Sequence, residues 1–185
     1  MEKRYLPELI TSSRIKLKKH TVDLAQKMFD YVEEDKERLS RFLPWPPFIK
    51  TVQDEIDFIK GRLESWEQHQ SSDYGIYRLE DDEYMGNIGS FSYNWENESC
   101  EIGYWILGKF EGKGYMSEAV SALEQALFEA GFNRIVIRFD PENNKSGSIP
   151  RRLGYLHDGV LREAIKVNGS FHNLEVYSKL KSDKK

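Results

Sequence analysis

The stretch GKFEGKGYMSEAV, residues 108–120, joins two hydrophobic periods. A strand-like alternation ends just before it and a helical spacing begins inside it. Gly112 and Gly114 flank Lys113 at the junction. N–H groups at a helix start are unpaired, and the helix dipole adds positive potential there. Glycine lets a ligand approach the main chain and tolerates positive φ. Two readings follow: a phosphate cradle at a helix N-terminus, or a tight turn packing the helix on a sheet. The glycines alone do not choose between them.

Upstream, CEIGYWIL (100–107) places Cys100, Ile102, Tyr104 and Ile106 on one face of a strand and Glu101, Gly103, Trp105 and Leu107 on the other. Downstream, Met116, Val120, Leu123 and Leu127 recur at helical spacing beside Ala119, Ala126 and Ala130, and Gly131 reads as a left-handed cap. RIVIRF (134–139) is a buried, β-branched strand. The trio is a strand–helix–strand crossover.

Further out, RIKLKK (14–19) alternates as a half-buried strand, and Thr21 is placed to cap a helix carrying Leu24, Met28, Tyr31 and Val32. DKERLSRF is a short helix, and the three prolines of LPWPPF (43–48) force an irregular loop. Thr51 and Asp54 form a capping box for a helix whose stripe is Ile56, Ile59, Leu63 and Trp66. Strands are expected at 74–79 and 84–93 around an acidic turn, EDDE. DPENNKSGS (140–148) reads as a loop, and IPRRL begins or continues a short helix ended by Gly154. Two last strands, about 155–167 and 171–180, meet at Asn168-Gly169, a hairpin signal. Hairpins mixed with one crossover predict an α+β (mixed α/β) fold, with a mostly antiparallel twisted sheet flanked by helices.

The 185 residues are expected to form one domain, residues 1–185, with a core that needs no disulfide or metal. A net charge of −4 argues weakly against nucleic acid. The single cysteine, Cys100, rules out an internal disulfide and a Cys-based zinc site. It is expected to be buried and inert, which disfavours a covalent thiol route. No apolar run has signal-peptide or membrane-span length, so a cytoplasmic setting without membrane is expected. The tail KLKSDKK is expected to fray.

Which phosphate would the turn hold? The nucleotide-triphosphate loop needs G-x-x-x-x-G-K-[ST]. Here Gly108 stands too close to Gly112, Gly114 follows Lys113, and the magnesium-binding hydroxyl is missing. The dinucleotide pattern needs a third glycine where Ser117 stands. A metal-free diphosphate gripped by main-chain amides remains, and coenzyme A carries one.

The run GYWILGKFEGKGYMSEAVSALEQALFEAGFNRIVIRFDPENNKSGSIPRRLGY resembles the cofactor-binding core of the GNAT N-acetyltransferases. Gly112 and Gly114 match that family's Q/R-x-x-G-x-G/A, with Lys109 departing at the first position. Asn143 and Ser146 match its N-x-x-S, and Leu153-Gly154-Tyr155 its LGF-like end. VNGSFHNLEVYSKL (167–180) and RFLPWPPF are similar to the closing hairpin and substrate-side loop of the branch that acetylates ribosomal-protein N-termini at serine or alanine.

The resemblance implies direct attack of a primary amine on the thioester of acetyl-CoA, without metal. Trp105, Ile106 and Leu107 would present main-chain groups to the pantetheine arm and thioester. Glu111, Gly112, Lys113, Gly114, Tyr115 and Met116 would hold the diphosphate, and Asn143 the pantetheine arm. Ser146 would be the general acid. Some relatives carry a glutamate base where Ile165 stands. Glu163, two residues away and on the same side of a regular strand, is the expected substitute. Trp45, Phe48 and His172 would meet the acceptor. A homodimer is implied as well. Two other acceptor or activity classes stay open: a small-molecule amine (a polyamine, antibiotic or amino acid), and an idle acyl-CoA-binding module.

Overall fold

The computed structural model describes residues 5–183. The expectations for the extreme ends fall partly on residues outside that range.

Strands β1 (Leu9–Thr11) and β2 (Ile15–Lys19) form an edge hairpin, of which β1 had no sequence signal of its own. Helices α1 (Ala25–Glu34), α2 (Lys36–Ser40) and α3 (Val52–Glu67) follow. The prolines of the 43–48 loop close one 3-10 turn, Pro46–Phe48, rather than a wholly irregular path. The Asp54 carboxylate accepts from the Thr51 N–H at 2.8 Å, so the capping box starts α3 as its residue types dictate. Strands β3 (Ser72–Arg78), β4 (Tyr84–Asn94) and β5 (Ser99–Ile106) form a meander, and α4 (Tyr115–Ala130) ends at Gly131 with φ 109°.

Strand β6 (Arg134–Phe139) leads to α5 (Asn144–Arg152), and β7 (Leu156–Val167) and β8 (Ser170–Leu180) close the chain. The helix α5 begins four residues before the expected loop ends. Asn143 accepts from the Ser146 N–H at 3.1 Å, and that cap turns NKSGS into helix.

Among the described residues, eight strands share one sheet in the order β1-β2-β3-β4-β5-β6-β8-β7. Every pairing is antiparallel except β5 with β6, which α4 links as a crossover. The face carrying Ile88, Ile102, Ile106 and Ile137 is sealed by Ala119, Val120, Leu123 and Leu127 of α4. Ile59 of α3 and Met28 of α1 belong to the same buried cluster. No helix among the described residues is long and apolar enough to cross a membrane.

Candidate active site

The parallel partners β5 and β6 are bonded only from Ser99 to Glu101 and from Arg134 to Val136. Beyond that point both strands continue but separate, to Ile106 and Phe139 respectively, and a gap opens between them. Gly86 on β4 explains why β5 can bend away. A Cβ there would strike the Trp105 carbonyl oxygen and stand 2.7 Å from Ile106 Cα, so only glycine lets β4 press this close. The Leu107 N–H donates to the Met85 carbonyl at 2.9 Å. Main-chain groups alternate in direction along a strand, so those of Ile106 face the gap. Arg38 donates to the Ile106 carbonyl at 2.6 Å, which leaves the Ile106 N–H on the open edge.

The chain then turns into α4 through Gly112 (φ 73°) and Gly114 (φ 82°), both in the left-handed region. The first helical bond runs from the Glu118 N–H to the Gly114 carbonyl. The N–H groups of residues 112–117 find no acceptor among the described residues. Basic side chains stand around them. Arg14 donates to the Lys113 carbonyl at 3.0 Å and lies over the Tyr115 ring, and Arg152 donates to Ser117 Oγ at 2.9 Å. Glu111 differs from its neighbours. Its N–H is already bonded to Gly108, and its carboxylate is taken by Arg38 at 2.6 Å and Lys145 at 2.5 Å. The donor run therefore begins at Gly112. Lys109 points away from the turn, toward Glu34 and over the Tyr31 ring.

Ser146 lies across the gap from β5. Pro150 sits inside α5 and has no N–H, so the carbonyl four residues back is unclaimed. That carbonyl belongs to Ser146, and Tyr104 OH donates to it at 3.1 Å. Ser146 Oγ stands 3.4 Å from the same phenol. Burial pushes the Tyr104 phenol up to about 12, with the Ser146 contact opposing it, so Tyr104 keeps its proton at neutral pH. Tyr104 was legible only as a core-facing position of β5; Pro150 made it part of the site. Asn143 sits at the same corner, its side-chain oxygen engaged in capping α5.

On the opposite sheet face, Trp45 packs on Trp105 with ring centroids 5.9 Å apart, while Phe48 of the same loop is exposed. The β7–β8 turn reaches across to this side, and Asn168 donates to the Ser40 carbonyl at 2.9 Å. His172 Nδ1 lies 2.5 Å from Asp140 Oδ2. Glu163 does not share a side with Ile165 by simple alternation. The register shifts between Leu161 and Ile165, and Glu163 adopts φ 51° with its N–H bonded to Asn173.

Beneath Trp105, its cross-strand partner Asn87 accepts from Tyr84 OH at 2.8 Å and lies 3.1 Å from His20 Nε2. Burial pushes the His20 imidazole down to about 4, so the neutral ring donates to Asn87. Glu55 is buried along α3 together with Ile59 and Trp66. It is 2% exposed, its Oε1 has no partner, and burial first, then Asp54, raises it to about 7. Burial, with Glu55 nearby, also holds the Tyr84 phenol well above its usual range. Cys100 is buried, which raises its thiol far above the usual range.

Residues 14–156 match the family model described as the acetyltransferase (GNAT) domain. The chain is 30% identical over 162 residues to the candidate ribosomal N-acetyltransferase YdaF of Bacillus subtilis, spanning 86% of this chain and 87% of that protein. It is 25% identical to the ribosomal-protein-serine acetyltransferase of Escherichia coli over 154 residues, 83% of this chain and 85% of that one. A solved structure of RimL, described as a ribosomal L7/L12 alpha-N-protein acetyltransferase in complex with coenzyme A, superposes with a TM-score of 0.89. It shares 23% identity and covers 94% of this chain and 98% of its own.

Proposed function

The chain belongs to the acetyltransferase (GNAT) domain family and is an acetyl-CoA-dependent N-acetyltransferase, and we propose that it acetylates the α-amine of a protein N-terminus, serine or alanine, on a ribosomal protein. The observation that carries the cofactor side is the run of free N–H groups from residue 112 to 117 beside the β5–β6 gap. Six donors, a dipole and the neighbouring arginines fit a diphosphate. The names of the Bacillus subtilis and Escherichia coli relatives support a ribosomal-protein acceptor.

In this reading residues 112–116 hold the diphosphate and Glu111 fixes the turn through Arg38 and Lys145. Ile106 presents its N–H at the gap, flanked by Trp105 and Leu107, and Asn143 lies along the pantetheine arm. Bound acetyl-CoA supplies an activated acyl carbon. Ser146, paired with Tyr104, delivers a proton to the departing sulfur. Trp45 and Phe48 line the acceptor side, with His172 and Glu163 on the hairpin opposite. The enzyme works as a single domain spanning 1–185, in the cytoplasm where ribosomal proteins are made, and as a homodimer. The exposed Leu156 and Phe171 of the hairpin support a second copy there.

Thiol release from acetyl-CoA with peptides beginning in serine or alanine tests the proposal. Turnover is expected with these peptides and little with spermidine or free amino acids. Preference for a polyamine moves the acceptor to the small-molecule class. Cofactor binding without turnover on any amine leaves only the idle module.

A further inference from the structure

We propose that His172 is the base that takes the proton from the acceptor amine, with Asp140 positioning its ring. The inference rests on the acetyltransferase reading above and names a residue that reading leaves open.

Asp140 is the residue after β6, 6% exposed, and its Oδ1 accepts the Glu142 N–H at 2.8 Å. Its Oδ2 meets His172 Nδ1 at 2.5 Å. The Nε2 of His172 has no partner among the described residues, and the side chain is 28% exposed. A carboxylate that holds Nδ1 fixes the tautomer with a bare Nε2, ready to accept a proton.

Register places that nitrogen on the acceptor side. Arg138 pairs with Val176, so Leu174 and His172 follow Val176 on one face of β8, the face of Val136 and Arg138 on β6. Glu101 pairs with Val136 across the parallel junction, and Trp105 shares the face of Glu101 along β5. His172 and Trp105 therefore project to the same side of the sheet. Tyr104, next to Ser146, projects to the other. The Asn168–Ser40 bond ties the turn that carries His172 to α2, beside the loop bearing Trp45. Base and acid so stand on opposite faces of the sheet at the β5–β6 gap.

The proton count closes. Nε2 takes one proton from the acceptor ammonium. The freed lone pair forms the C–N bond at the acetyl carbon, and the C–S bond breaks with its pair on sulfur. The second proton lost by nitrogen neutralises sulfur, and the imidazolium returns its own to solvent. Glu55, whose buried Oε1 has no partner, is closed off from an incoming amine at 2% exposure.

His172→Asn keeps a side-chain amide near the Nδ1 position, so the tie to Asp140 survives while the base is lost. We expect kcat with a serine-starting peptide to fall about 100-fold or more, with KM and acetyl-CoA affinity by calorimetry unchanged. His172→Ala is expected to regain rate with added imidazole. Asp140→Asn is expected to lower kcat without raising KM. In the protein without cofactor, 15N NMR should find neutral His172 as the Nδ1–H tautomer, and Asp140→Asn should shift it toward Nε2–H. Should His172→Ala fail to fold, His172→Asn carries the same test. A wild-type kcat in His172→Asn, or a neutral Nε2–H ring in the wild type, overturns the assignment. Wild-type protein that binds acetyl-CoA but acetylates no amine overturns this proposal together with the acceptor reading; an active wild type with an active His172→Asn overturns this proposal alone.

Discussion

The two sides of the β5–β6 gap are built in different ways. The cofactor side is main chain: Ile106 at a strand edge and the N–H groups of residues 112–117, all within a dozen positions of one another. The acceptor side is side chains drawn from far along the sequence: Trp45 on Trp105, Glu55 near Tyr84, Asp140 on His172, and Asn168 on Ser40. A main-chain site asks only for glycines and a helix start, so its residue types are almost fixed. A side-chain site can be assembled from many residue types, which leaves room for the acceptor to vary while the cofactor stays the same.

Gly86 should break both sides at once, because it sits where β4 meets the bend of β5. Gly86→Val would push Cβ into the Trp105 carbonyl and the Ile106 Cα, which are backbone and cannot yield. We expect a loss of stability of about 4 kcal/mol, seen in urea denaturation, and no measurable cofactor binding. A folded variant that binds acetyl-CoA normally would show that the close approach does not shape the gap.

Glu55 should touch the acceptor side alone. Its folded value of about 7 lies above its ordinary 4.5. Below 4.5 it is protonated in both states and carries no penalty. Between 4.5 and about 7 the unfolded chain ionises while the folded carboxyl keeps its proton, so stability falls as pH rises. Above that window the penalty is complete, about 3 kcal/mol. Glu55→Gln should therefore match the wild type near pH 4 and exceed it by roughly that amount near pH 8, with acetyl-CoA affinity unaltered. Equal stability at both values would mean that water reaches the carboxyl.

The smallest effect is expected on the cofactor side. Gly112→Ala adds a Cβ in open space and suffers only the strain of a left-handed backbone, about 1 kcal/mol. Gly114→Ala carries the same strain and brings Cβ to 3.3 Å from Arg14. Calorimetry should find acetyl-CoA binding weakened about fivefold in the first and more in the second, with the KM for peptide unchanged in both. A larger loss at Gly112 would show that the approach of Cβ to Arg14 does not set the order.

Much of this was legible because it is local. The alternation of residues 100–107, the helical spacing from Met116 to Leu127, the capping box at Thr51 and the Asn168-Gly169 turn each encode their structure within a few residues, and each formed as read. Other features were not local. β1 is three residues long and exists because β2 offers it an edge. The bulge that takes Glu163 off simple alternation depends on how β7 meets β8. Glu55 was hidden because a charge at a core position has no periodic signature.

By itself the sequence determined a mixed sheet with one crossover and a glycine turn that presents unpaired amides, since hydrophobic period and glycine's freedom act through neighbours in the chain. Only the tertiary structure decided that Pro150 frees a carbonyl for Tyr104, that Asp140 meets His172, and that the two lie on opposite faces of one gap. Those relations join residues 32 to 46 positions apart, and a contact at that range is set by strand order and register, which no short stretch of residues carries.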